Sequence, residues 1–155
     1  MEKIYHLLYP MRVVLISARD GGKESIMPAA WCFPLSFDPP MFGVAIAKKR
    51  FTYSLIHKSK AFAINLASPD MRGGVALCGS KSGKDTDKFA ATGWKREEGK
   101  RTVMIADAPA SIECEVEREM ETGDHVVFIG KAINVVRRRE AKGLYHTGGT
   151  EFVEI

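Results

Sequence analysis

The sequence predicts a mainly β domain, an antiparallel barrel, closed or nearly closed, with short helices inserted between its strands. Three observations predict it. Apolar and β-branched runs of strand length recur along the chain, linked by turn signals near its start and again near its end. Residues 111–117 alternate strictly, with Ile112, Cys114 and Val116 on one side and Glu113, Glu115 and Glu117 on the other, as in a half-exposed strand. The regular strand–helix alternation of a doubly wound sheet is absent.

Taken in order, residues 12–17 form a β-branched strand that ends at the turn signal Asp20-Gly21. A returning strand covers about residues 26–36. Asp38-Pro39-Pro40 stops it, because proline cannot donate into a ladder and pushes its predecessor to extended geometry. Residues 42–47 are almost all apolar, which suits a strand covered on both faces. Residues 52–58 read as a helix with Thr52 as its N-cap and Leu55 and Ile56 facing inward. A strand over 61–67 follows, then a helix over 69–78 with Pro69 in its first turn. The glycine-serine segment 79–84 is a loop, and a short helix spans about 85–91. After the alternating strand, Thr122-Gly123-Asp124 turns the chain into a long return over 126–137, whose arginines can face the glutamates of the neighbouring strand. Residues 145–155 offer at most one short closing strand.

No repeat or low-complexity linker divides the 155 residues, so a single domain over 1–155 is expected. A domain of that size buries roughly 68–70% of its unfolded surface, enough for a self-sufficient core. Apolar content of 45% and charged content of 27% fit a globular chain and argue against disorder. The longest uncharged apolar run, 41–47, is too short to cross a bilayer. Arg12 interrupts the apolar N-terminal stretch and no small-residue cleavage site follows, so that stretch reads as mature protein. Cys32, Cys78 and Cys114 are odd in number, far apart and without CxxC spacing. They read as buried hydrophobes in a reducing cytoplasm, and no metal site is expected.

Several chemistries fail on spacing. Gly79-Ser80-Lys81-Ser82-Gly83-Lys84-Asp85 has three residues between its first glycine and Gly-Lys, where a nucleotide-triphosphate loop needs four, and aspartate follows the lysine. No serine, histidine and aspartate set or paired carboxylates stand out. The net charge of +4 fits an anionic small ligand as well as a nucleic acid. Nucleic acid is disfavoured, because the only aromatics interleaved with basic residues, Phe51 and Tyr53 beside Lys48 and Arg50, crowd one helix start.

What remains is a small-ligand site between residues 25 and 66. Pro28, Ala29 and Ala30 make a flat shelf of small residues suited to a planar ring. Lys48, Arg50 and Thr52 lie where a helix begins, so free amides, cationic side chains and a hydroxyl converge on any phosphate there. A solvated basic turn is the competing reading. The 79–85 loop offers unobstructed backbone donors for a phosphate or ring contact, against a simple solvated loop. Trp31 suits either a ligand shelf or a core contact. His125, after a turn aspartate, suits a ligand or donor contact, against a locally satisfied turn residue.

These motifs, in this order, resemble the flavin reductase-like family, also called flavoredoxin-like. The likeness is carried by Ile26-Met27-Pro28-Ala29-Ala30-Trp31, Asp38-Pro39-Pro40-Met41, Arg50-Phe51-Thr52-Tyr53-Ser54-Leu55-Ile56, Phe62-Ala63-Ile64-Asn65-Leu66, the run from Cys78 to Phe89, and Gly123-Asp124-His125. The resemblance implies an FMN-binding split β-barrel, antiparallel and Greek-key-like, that forms a homodimer with flavin in a groove near the subunit interface. It implies that Met27, Pro28, Ala29, Ala30 and Trp31 lie along the isoalloxazine and that Ala47, Lys48, Arg50 and Thr52 surround the phosphate. Asn65 and the loop residues Gly79, Ser80, Lys81, Ser82, Gly83, Lys84 and Asp85 would close over the cofactor. The implied activity is an NAD(P)H-dependent flavin oxidoreductase passing electrons from NADH or NADPH to an acceptor, with His125 at the donor. A non-catalytic FMN electron carrier serving a redox partner protein is the alternative. The chain departs from the family at Ser25, where asparagine is frequent, and at Pro28, where threonine or serine is frequent. Pro28 has no N–H, so a ring hydrogen bond from the shelf must come from a neighbour such as Ala29 or Ala30.

Overall fold

The computed structural model describes residues 2–149 and 151–155. After a 3₁₀ turn at Ile4–Leu8, strand β1 (Met11–Arg12) leads to the hairpin of β2 (Val14–Asp20) and β3 (Lys23–Ala29). Its turn places Gly21 at φ 60°, a left-handed conformation that glycine adopts without the Cβ penalty. Then come β4 (Cys32–Ser36), β5 (Met41–Ala47), α1 (Phe51–Ser59) and β6 (Ala61–Leu66). A 3₁₀ turn at Pro69–Met71 runs into α2 (Arg72–Ser80), followed by α3 (Lys88–Thr92), β7 (Arg96–Glu98) and β8 (Val103–Ile105). The long hairpin of β9 (Ala110–Thr122) and β10 (His125–Arg137) precedes β11 (Leu144–Gly148) and β12 (Glu151–Glu154).

Seven strands form one antiparallel sheet in the order β3-β2-β6-β9-β10-β5-β4. Its two edges, β3 and β4, are consecutive in the chain and joined only through Ala30 and Trp31. The edges therefore approach each other without pairing, and the barrel is split along that seam. β1, β11 and β12 make a second small sheet, and β7 pairs with β8. Among the described residues no helix is long and apolar enough to cross a membrane.

The apolar run of β2 is explained by its place between two cores. Val14, Ile16 and Ala18 face a barrel core with Val44, Ile46, Phe62 and Phe128, which Leu55 and Ile56 of α1 complete. Val13 and Leu15 join a second core with Ile26, Val75, Phe89 and Ile105 under α2 and α3. Period-2 alternation sends successive side chains to opposite layers, so both must be apolar.

Several expectations need correction. The strand over 26–36 is two strands, broken where the chain crosses the seam. Thr52 is not an N-cap. Arg50 holds that position, and Thr52 lies buried in the first turn, its Oγ1 donating to Ser25 Oγ at 3.0 Å. The helix over 69–78 begins as a 3₁₀ turn and continues through Gly79 and Ser80. The one after it starts only at Lys88, where the Asp87 carboxylate caps the Ala90 amide. Glu113 is fully buried rather than solvent-facing. The glutamates do not face the late arginines: Arg138 bonds Glu97, Arg139 bonds Asp70, and Glu115 pairs with Arg101. Residues 145–155 contribute to two strands, not one.

Candidate functional site

The seam opens into a groove of about 1260 Å³. Because β3 is an edge strand, one side of its backbone has no ladder partner and faces this space. Pro28 fits such an edge, since a central strand would miss its N–H. Met27, Pro28, Ala29, Ala30 and Trp31 all line the groove, with Ala45 and Ala47 of β5 across from them. The shelf that the sequence suggested is thus a wall at the gap between the sheet edges.

The turn between β5 and α1 brings Lys48, Lys49 and Arg50 to the same groove. Two of these side chains differ in a way the sequence did not reveal. Lys48 Nζ donates to Glu121 Oε1 at 2.6 Å, and that hydrogen bond raises the lysine's pKa. Arg50 has no ion-pair partner among the described residues. Its guanidinium is the free cation of the pair.

A second, smaller pocket of about 270 Å³ adjoins the groove and shares Met27, Pro28, Lys49, Arg50, Gly79 and Ser80 with it. Thr52, Lys81, Ser82 and Gly83 line only this pocket. The loop approaches closely: a Cβ on Gly83 would meet Ser25 Oγ at 2.3 Å, and one on Gly79 would meet Pro28 at 3.2 Å. Gly83 leaves no room for a Cβ, while at Gly79 the Pro28 ring would have to give by a few tenths of an ångström. Lys84 and Asp85 line neither cavity. Asn65 also lines neither cavity. Its amide is consumed within the barrel by Leu15, Ser17, Ile105 and Ser111.

The far end of the groove is aromatic. Trp31 lies 4.7 Å from His125 and 5.1 Å from Tyr5 between ring centroids, and Tyr9 stands 5.2 Å from His146. His125 Nδ1 is 2.7 Å from Asp124 Oδ1. The bond to His125 holds the Asp124 carboxyl below its ordinary pKa, so the carboxylate accepts and Nδ1 carries the proton. His125 Nε2 makes no hydrogen bond among the described residues.

Two features escaped the sequence reading, a buried lysine and a pair of N-terminal tyrosines. Lys88 is buried and lines the smaller pocket, its Nζ donating to Ile26 O at 2.6 Å and Cys78 O at 2.9 Å. Only its place in an Asp-Lys-Phe motif could have flagged it. Tyr5 and Tyr9 reach the groove from an N-terminal turn that carries no buried residue and left no periodic signal. Cys78 and Cys114 are buried and Cys32 is half-buried, and all three are free. Burial pushes their thiols up, to about 11 for Cys78 and about 12 for Cys32 and Cys114, so none is a reactive thiolate at neutral pH. Among the described residues no group of three or more His, Cys, Asp or Glu is placed to hold a metal ion.

Comparison with known proteins gives a consistent picture. Residues 5–154 match the model of the flavin reductase like domain. An uncharacterized protein of Pyrococcus abyssi is 39% identical over 137 residues, covering 88% of this chain and 80% of that one. The high molecular weight rubredoxin of Moorella thermoacetica is 28% identical over 117 residues, 75% of this chain and 51% of that protein. Among solved structures, the FMN-binding protein of Thermus thermophilus with bound 1-cyclohex-2-enone superimposes with a TM-score of 0.90 at 28% identity, covering 99% and 90% of the two chains. Flavoredoxin of Desulfovibrio vulgaris (Miyazaki F) shares the fold with a TM-score of 0.85 at 24% identity, over 95% and 87%. The family match takes in both edges of the seam, the basic turn and the 79–83 loop, and on that basis the chain belongs to the flavin reductase-like family.

Proposed function

We propose that the groove binds FMN and that the protein is an NAD(P)H-dependent flavin oxidoreductase passing electrons from a nicotinamide donor to an acceptor. One observation carries this reading: a shelf of small residues and an unpaired arginine at a helix start line one continuous groove. The residues present fit the group. Pro28, Ala29 and Ala30 offer a flat apolar wall to a ring, and a carboxylate-free cationic pocket adjoins it for an anionic tail. The Thermus FMN-binding protein, which shares the fold across almost the whole chain, adds support.

FMN, when bound, supplies the redox chemistry. The chain's share is placement and electrostatics. The 27–31 wall orients the ring, and Arg50 offsets the charge of the tail. Trp31 and Tyr5 wall the far end with aromatic rings. His125, held by Asp124 through Nδ1, leaves Nε2 to meet the donor. Hydride transfer needs no side-chain acid or base, so the lack of a catalytic constellation is consistent with it. The unpaired cysteines suit a reducing cytoplasm, and exposed apolar side chains on β4 suit a homodimer.

A non-catalytic electron carrier for a redox partner protein is the second reading. It is favoured by the flavoredoxin fold match and by a rubredoxin among the relatives. Expression should give a yellow protein that releases FMN on denaturation. A colourless protein that ignores added FMN would overturn the flavin reading. Steady-state oxidation of NADH and NADPH with an added acceptor separates the two readings. Turnover supports the reductase, and an FMN-loaded protein without turnover supports the carrier.

A further inference from the structure

We propose that residues 2–9 form a strap over the far end of the groove, and that Tyr5 on this strap holds a place on Trp31 from which a planar ring ligand displaces it. The ligand class is a flat ring carrying an N–H or O–H donor. The strap and its ring contacts belong to the chain itself, so this gate goes beyond the FMN reading and stands without it.

Glu2, Lys3, Ile4, Tyr5 and Tyr9 all line the groove. The segment that carries them is weakly held. No side chain of the Ile4–Leu8 turn is buried, and Leu7 is 85% exposed. Its backbone hydrogen bonds, His6 N–H to Lys3 O and Tyr9 N–H to His6 O, stay inside the segment. Ladder pairing starts only at Met11, opposite His146. What joins the strap to the barrel is ring contact, Tyr5 on Trp31 and Tyr9 on His146. A segment with so few buried contacts opens at far lower cost than the core. Trp31 carries two ring neighbours, His125 at 4.7 Å and Tyr5 at 5.1 Å between centroids. Those are single-contact distances, so neither gap admits another ring. An incoming ring gains that Trp31 surface only by taking one neighbour's place. His125 is fixed: it opens β10, paired with Ala47 and Thr122, and Asp124 holds its Nδ1. Tyr5 is the one that can leave. With Tyr5 swung out, His125 Nε2 presents a lone pair beside Trp31 that accepts from an amide or hydroxyl on the ring.

The alternative is that Tyr5 is a fixed wall of the groove. The two roles give opposite signs for Tyr5→Ala, measured by NMR titration of the full chain without flavin. If Tyr5 must leave, removing its ring ends the competition, and benzamide or phenol should bind about 3- to 10-fold tighter. If Tyr5 is a wall, the variant loses contact area and binds both more weakly. Tyr5→Phe keeps the ring and should match wild type. Cyclohexanecarboxamide carries the amide on a puckered ring and should gain nothing. A gain for benzamide alone assigns a carboxamide ring, a gain for phenol alone a hydroxylated one, and either supports the strap. Absent, weaker or unchanged binding of both probes in Tyr5→Ala, or an equal gain for cyclohexanecarboxamide, would overturn it. Tyr5 is 37% exposed, so its truncation spares the core. A second readout keeps Tyr5 in place. A nitroxide on Leu7→Cys should gain mobility as benzamide saturates the chain, and unchanged mobility at saturation overturns the strap. A chain that gates benzamide but ignores FMN would leave the strap standing and remove only the flavin reading.

Discussion

Asn65 shows how many elements a single buried side chain can tie together. Its Nδ2 donates to Leu15 O and Ser17 Oγ, both at 2.9 Å, while Oδ1 accepts from the Ile105 amide at 3.0 Å and Ser111 Oγ at 2.7 Å. One amide thus ties β6 to β2, β8 and β9, in a place fully shielded from water. A buried amide in low dielectric is stabilising only while every partner is present. Truncation would leave a carbonyl, an amide and two hydroxyls short of partners at once. Asn65→Ala should therefore lose about 2–4 kcal/mol of stability, read by urea unfolding. FMN affinity per folded molecule should be unchanged, because the side chain lines neither cavity. A selective loss of FMN affinity with unaltered stability would instead return Asn65 to the cofactor.

At the scale of elements, the turn over 98–102 that joins β7 to β8 depends on Glu113 of β9. Its carboxylate accepts the amides of Lys100 at 2.8 Å, Arg101 at 2.6 Å and Thr102 at 2.8 Å, with Asn134 Nδ2 at 3.2 Å. Burial alone would push this carboxyl up, but the three amides and Asn134 together outweigh it and hold the pKa below the ordinary 4.5. A depressed folded pKa stabilises the fold above the unfolded value, and that stability is lost as pH falls through the folded one. Glu113→Gln should cost about 2–3 kcal/mol at pH 7, and its deficit against wild type should shrink below about pH 4.5. A deficit independent of pH in unfolding curves between pH 7 and 3 would refute the charge argument. The same element shows what the sequence could and could not reveal. Alternation correctly marks β9 as a strand, but a buried glutamate with three amide donors looks identical to an exposed one. β7 and β8 carry no signal of their own, because their order comes from that carboxylate and from contacts distant in sequence. By contrast β2, β5 and β6 were legible, since strands buried on both faces must be apolar throughout. The shelf and basic turn were legible for a related reason: small residues and clustered cations are visible without coordinates. Lys88 was not, because its burial depends on how α3 folds back beneath β3.

For the molecule as a whole, the split seam leaves β4 as an edge strand with its outer face apolar. On β4 Leu35 is 48% exposed and Phe33 38%, and Phe37, in the turn just past the strand's end, is 97% exposed. Phe33 and Leu35 lie over Gly43 of β5, where an added Cβ would meet their side chains at 2.6 and 3.1 Å, so the neighbouring strand keeps these large groups on the surface. An exposed hydrophobic edge strand invites pairing with another chain unless something covers it. The seam that opens the groove is bordered by this same strand, so covering it with a second copy would place two grooves near one interface. The wild-type chain should therefore sediment as a dimer at micromolar concentration. Phe37→Asp combined with Leu35→Asp should shift it towards monomer, because two buried carboxylates at a self-complementary interface are costly on both partners. Neither residue lines the groove, so a purely structural loss of FMN binding is not expected of the monomer itself. If the double variant keeps the wild-type sedimentation coefficient, the covered face lies elsewhere. If it becomes monomeric and also loses FMN, the partner subunit completes the binding site across the seam.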